Sequence, residues 1–172
     1  MRIMNRNQKL ALAGLLVAVG VIMSAFSIPV GAARVFPIQH MINVIAAILL
    51  GPAYAVAMAF ATSVLRNLLG TGTLLAFPGS MFGALLAGVA ATMAVRWKGR
   101  LLITCTGELL GTGVLGAIAA FPVAAFILGR EAAVFAFVIP FTLSSLFGAV
   151  FAFVILSILE HTGGILCRFQ KT

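Results

Sequence analysis

Apolar runs long enough to cross a bilayer recur along almost the whole of this chain, and that pattern removes most soluble folds from consideration. Eleven basic and three acidic residues supply all the formal charge among 172, hydrophobic residues make up 63%, and mean hydropathy is +1.22. The class implied is an all-α integral membrane protein. Candidate spans run over 9–28, 37–50, 52–69, 79–97, 101–127 and 132–160, giving a bundle of six transmembrane helices in one domain, 1–172. Residues 1–28 imitate a secretory signal, with Arg2, Arg6 and Lys9 ahead of an apolar run. The run from Leu10 to Ile28 is 19 residues, longer than a usual signal core, so it is expected to stay as the first helix.

Residues 37–69 are the ambiguous part, because Met41 to Leu65 reads equally as one long helix. Gly51-Pro52 argues for two, since proline suits the first turn of a helix and not its interior. Charge gives an independent test. With six spans and both termini inside, Arg2, Arg6, Lys9, Arg96, Lys98, Arg100, Arg168 and Lys171 face inward, and Arg34, Arg66 and Arg130 outward, an 8 to 3 split. Five spans give 5 to 6, against the positive-inside rule. The net charge of +8 is therefore read as topology and not as a nucleic-acid footprint. Trp97 beside the Arg96 to Arg100 cluster fits an interfacial anchor.

Against this hydrocarbon background, Arg66 to Ser80 stands out: a cation, a carboxamide, hydroxyls, glycines and a proline between two apolar spans. Unpaired polar groups are costly in lipid, and irregular backbone survives there only where protein buries it or water reaches it. The segment reads as the wall or lid of a small-molecule cavity, with an ordinary exterior loop as the bland alternative. Gln39, His40 and Asn43 can share one helix face and offer donors and acceptors without fixed charge, which suits a neutral heterocycle or a hydroxyl. The alternative is interhelical hydrogen bonding that holds the bundle together. Arg66 either snorkels to headgroups, bonds to turn carbonyls or meets the ligand. Asn67, Thr71, Thr73 and Phe77 complete the expected outer cluster, with the 70–79 turn as its lid.

Glu108 is the acidic residue well inside a span, and it could accept a ligand hydroxyl, pair with Arg66 or titrate. The charge-derived topology places it in the inner half, apart from the outer cluster. Cys105 and Cys167 are too isolated for a metal or redox motif, and no second histidine or carboxylate stands at ligand spacing from His40. Gly111 to Gly116 matches GxGxxG in letters only, without a preceding strand, and its small residues suit close helix packing. The pairs Gly14/Ala18 and Gly20/Ser24 on the first helix do so too. A nucleophile elbow and paired catalytic carboxylates are missing from the sequence, which disfavours an enzyme. A chain without a polar block leaves no room for a nucleotide-binding domain, so any ATP-driven step is expected from another polypeptide.

Pro37 to Asn43, the small-residue first helix, and Arg66 to Thr73 running into Phe77-Pro78-Gly79-Ser80 resemble the substrate-capture subunits (S components) of energy-coupling factor (ECF) vitamin transporters. The resemblance is to the ThiW type, assigned to the thiazole precursor of thiamine. It implies a membrane protein of the cell surface that captures a vitamin precursor from outside. It also implies a transmembrane coupling subunit and two cytoplasmic ATPases as partners, with ATP used by those ATPases and no cofactor in this chain. The implied ligand is hydroxyethylthiazole, with Phe77 for stacking and carboxamides and hydroxyls for the ring nitrogen and alcohol. The implied docking face for the coupling subunit is Gly14 and Ala18. Two other readings stand beside it: an autonomous proton-coupled carrier using Glu108 and His40, and a structural subunit without a ligand. The sequence leaves thiamine itself and other small vitamins open as cargo.

Overall fold

The computed structural model describes residues 4–30, 33–129 and 133–163. Arg2, Arg130, Arg168 and Lys171, on which parts of the charge argument rest, and Cys167 lie outside the described residues. Among the described residues there are six helical segments: α1 (Arg6–Met23), α2 (Pro37–Leu49), α3 (Pro52–Leu68), α4 (Ala76–Met93), α5 (Arg100–Ile127) and α6 (Val138–Gly163). By length and composition, α1, α4, α5 and α6 suffice to cross a membrane, whereas α2 and α3 are shorter, at 13 and 17 residues.

Local chemistry sets the ends. Helix α1 starts before the expected residue 9 because Asn5 and Gln8 form a reciprocal capping box, the Gln8 amide donating to Asn5 Oδ1 at 2.9 Å and the Asn5 amide to Gln8 Oε1 at 3.1 Å. It also stops earlier than expected, at Met23. The segment expected as a loop at 29–36 instead carries a short antiparallel ribbon, β1 (Ile28–Val30) with β2 (Ala33–Val35), Ile28 opposite Val35. Gly51, at φ +88°, makes the turn that only glycine enters freely, and Pro52 opens α3 as the sequence predicts.

Helix α4 is the hub, packed against α2, α3 and α5. Its buried residues are all small: Gly79, Ser80, Gly83, Ala84, Ala87, Gly88 and Ala91. In lipid, where hydrocarbon is no less apolar than a leucine, close backbone approach is what holds helices together. The glycines of the Gly111–Gly116 stretch serve packing as expected. A side chain at Gly111 would strike the Phe82 carbonyl, and one at Gly116 would lie 2.7 Å from Gly79 Cα. Helix α5 carries two π-helical stretches, Gly111–Gly116 and Val123–Ile127, the second directly after Pro122, which lacks the amide that regular pairing needs.

At the opposite end of α2 from the ribbon, Arg100 is buried between two helix C-termini. Its Nε donates to the Ala91 carbonyl at 2.9 Å and its Nη2 to the Ile48 carbonyl at 3.3 Å. Terminal carbonyls lack intrahelical partners, and a cation there also meets the negative end of each helix dipole. Arg100→Gln is expected to cost roughly 2–3 kcal/mol of stability, read as a lower melting temperature in detergent with ligand affinity below the melt unchanged.

Candidate functional site

Helix α3 ends where Gly70 enters the left-handed region at φ +71°, which folds the chain back so that the Thr71 and Gly72 amides both donate to the Arg66 carbonyl, at 2.9 and 3.0 Å. Asn67 braces this turn, its Nδ2 donating to the carbonyls of Ser63 at 2.8 Å and Thr73 at 3.1 Å. Thr71 Oγ1 lies 2.9 Å from Ser24 Oγ, tying the turn to the end of α1. Beneath it opens a cavity of about 650 Å³, walled by the end of α1, the first turns of α2 and α4, Arg66, Thr112 and the start of α6. That volume falls within the roughly 300–1,000 Å³ of small-molecule sites.

Among the expected site residues, Gln39, His40, Arg66, Thr71 and Thr73 line the cavity. Arg66 does not snorkel. It is 2% exposed, donates from Nη1 to Gln39 Oε1, and stacks its guanidinium over the Phe36 ring at 4.1 Å. The Gln39 amide nitrogen is fully engaged: its Nε2 donates to Ser80 Oγ at 2.7 Å and Ser63 Oγ at 3.3 Å. The cavity wall also has an aromatic and hydroxyl part from α6, with Phe141 and Ser144, the latter accepting from the Phe36 amide at 3.2 Å.

Asn43, Asn67, Phe77 and Glu108 do not line the cavity. Asn43 stands one layer behind, donating to the Ser80 carbonyl at 3.1 Å and to Glu108 Oε1 at 3.2 Å. Phe77 is in the first turn of α4, which starts three residues before the expected span, and it packs edge-on against Phe60 with centroids 5.7 Å apart. The 70–79 lid is correspondingly shorter, ending where α4 begins at Ala76.

The expected separation of Glu108 from the outer cluster is overturned. His40 Nδ1 lies 2.8 Å from Glu108 Oε1, and Glu108 is fully buried. The reason is register. Arg100 on α5 meets Ile48 on α2, and the two helices run in opposite directions. Eight residues beyond each contact, about 12 Å along either axis, α5 has reached Glu108 and α2 has come back to His40. Helix α2 is so short that its polar first turns lie level with the middle of α5. Thr112, on the first π-helical stretch, adds its hydroxyl 3.0 Å from Glu108 Oε1 and 3.1 Å from the Gly79 carbonyl. Gly83 makes room, since a Cβ there would lie 2.6 Å from Glu108 Oε1 and closer still to Thr112 Oγ1.

The wall that results is polar, hydrogen-bonded within itself and built by α2, α3, α4 and α5 together, as a transporter's binding site in lipid requires. A family model, thiamine-precursor transporter protein (ThiW), matches residues 10–162. The chain belongs to the ThiW family. It is therefore a membrane-embedded transporter of a thiamine precursor, a small-molecule substrate, and no enzyme activity is attached to that family description. No curated protein and no solved structure matches the chain.

Sequence reasoning passed over Ser63, Ser80 and Thr112 of this ThiW protein as site residues. Helical spacing held the signal: Ser63 is three residues before Arg66, and Thr112 is four after Glu108, so each shares its neighbour's face.

Proposed function

We propose that this chain is the substrate-capturing S component of an ECF-type importer, binding hydroxyethylthiazole at the cell membrane with both termini cytoplasmic and six helices crossing. Energy comes from ATP hydrolysed by two cytoplasmic ATPases, reached through a transmembrane coupling subunit. The observation that carries this reading is the cavity under the 70–75 turn. Carboxamide, imidazole and hydroxyl groups and a phenyl ring face a volume suited to a small aromatic alcohol. The buried guanidinium of Arg66 on the same wall favours the neutral thiazole over thiamine, whose thiazolium carries a permanent positive charge.

Helix α1 supports the partner assignment. Its Gly20 and Ser24 are buried, with Gly20 against Ile42 and Thr62, whereas Gly14 and Ala18 are exposed and nothing of the chain lies within 4 Å of a Cβ built on Gly14. That leaves one smooth face for another helix. Cells holding this chain without the coupling subunit are expected to bind the thiazole and to accumulate none. With the subunit present, Gly14→Leu is expected to abolish accumulation while leaving the dissociation constant of the purified protein within about threefold of wild type. A ligand recovered by mass spectrometry that is not a thiazole removes the cargo assignment.

The buried His40 and Glu108 pair favours one second reading, a proton-coupled carrier acting alone. Accumulation by this chain without partners, collapsed by an uncoupler, would establish that reading in place of the first.

A further inference from the structure

We infer that Glu108 is a positioning residue that holds His40 in a single tautomer, so that His40 Nε2 is the acceptor for the ligand's hydroxyl proton. The inference rests on the thiazole reading above and assigns one atom of that site to one group of the ligand.

Glu108 sits behind the wall, fully buried, and its Oε1 is approached by three donors: His40 Nδ1 at 2.8 Å, Thr112 Oγ1 at 3.0 Å and Asn43 Nδ2 at 3.2 Å. A carboxylate oxygen only accepts, and an amide nitrogen only donates, so the pairings at this oxygen have one sense. The Nδ1 contact with Oε1 at 2.8 Å, shorter than its 3.4 Å approach to the Thr112 hydroxyl, assigns the ring proton to Nδ1. In a neutral imidazole the other nitrogen is then a bare acceptor, because the hydrogen bond made by one nitrogen fixes the state of its partner.

His40 lines the cavity, and its Nε2 has no hydrogen-bond partner among the described residues. Gly148 of α6 packs against the base of this side chain, where an added Cβ would lie 2.6 Å from His40 Cβ. Two other polar groups of this wall are differently committed: Gln39 donates to two serines and accepts from Arg66, and Arg66 itself can only donate. A ligand alcohol needs an acceptor for its proton, and Nε2 is the wall atom held in that role. A hydroxyl is recognised by its proton, which separates an alcohol from an ether or an alkyl chain of the same shape.

Three thiazoles with one ring and different side chains test this on the purified full chain: the hydroxyethyl compound, its methyl ether and the ethyl analogue. Wild type is expected to bind the alcohol roughly ten- to a hundredfold more tightly than either of the others, the effect of leaving one buried acceptor unpaired. His40→Phe is expected to remove that preference. Glu108→Leu is expected to reduce it to about threefold or less, since a ring free to place its proton on either nitrogen loses the fixed acceptor.

A second readout does not depend on the His40 and Glu108 variants folding. In protein labelled with ¹⁵N-histidine, with His161→Asn removing the other histidine signal, Nε2 of His40 is expected to resonate as an unprotonated nitrogen. It should shift when the alcohol is added and stay in place with the ether. Ether and alcohol binding equally well to wild type, or a proton found on Nε2 of the free protein, overturns the inference. Failure of all three thiazoles to bind overturns the cargo reading and the inference with it, whereas equal binding of all three overturns the inference alone.

Discussion

Gly83→Val is expected to raise the dissociation constant for the ligand at least about a hundredfold, the largest effect of any substitution outside the cavity wall. Gly83 touches no ligand. Even a methyl group there would stand 2.6 Å from Glu108 Oε1 and closer to Thr112 Oγ1, and valine adds two branches to it. Overpacking of a filled interior costs about 1–3 kcal/mol by itself. Displacing Oε1 then takes the close acceptor from His40 Nδ1, adding roughly 1–3 kcal/mol, while Asn43 and Thr112 keep the Ser80 and Gly79 carbonyls. Calorimetry on purified protein measures the affinity, and a helical circular-dichroism signal verifies the fold. Gly99→Ala is the comparison, because nothing lies within 4 Å of a Cβ at Gly99. Wild-type affinity in Gly83→Val would mean that the glycine contact with α5 does not shape the cavity.

The second large effect concerns charge. Arg66 lines the cavity and is almost wholly buried, while Glu108 is set behind His40 and away from the lining. The full charge nearest a bound ligand on the described wall is thus positive. Two like charges about 5 Å apart repel by roughly 3 kcal/mol at an effective dielectric of about 20. Wild type is therefore expected to prefer the neutral hydroxyethylthiazole over its N-methyl thiazolium salt by about a hundredfold. Arg66→Gln keeps a donor for Gln39 and removes the charge. It is expected to narrow the preference to about tenfold or less, read by competition between the two compounds. An unchanged ratio would show that Arg66 does not choose the charge of the cargo.

Much of this architecture is legible in the residues. Gly51-Pro52 divides α2 from α3 as expected, because a positive φ followed by a proline is incompatible with a continuing helix. The polar stretch from Arg66 does roof a cavity, because Gly70 reverses the chain there. Two misplacements have definite causes. Phe77 was assigned to the cavity on the assumption that the helix began at 79. Its start at Ala76 places the ring in the helix's first turn, beside Phe60. Glu108 is expected apart from His40 because α2 is taken as a full crossing, whereas the two meet at 2.8 Å. The residue opposite Glu108 depends on where a 13-residue helix begins and ends, and hydropathy does not resolve that to within a turn. Periodicity says which residues share a face. It does not say which residue on the neighbouring helix each one meets.

The shortness of α2 also bears on how a solute gains entry. Thirteen residues rise about 20 Å, some 10 Å less than the hydrocarbon thickness of a typical bilayer. The first turns of α2 are where the ribbon, the Gly70 turn and the cavity gather, so that end of the helix is bordered by polar backbone and not by further helical turns. On the proposed topology, a solute reaches its partners from the aqueous side without first dissolving in oil. Its oil–water partition coefficient drops out of the capture step, and recognition can rest on hydrogen bonds alone.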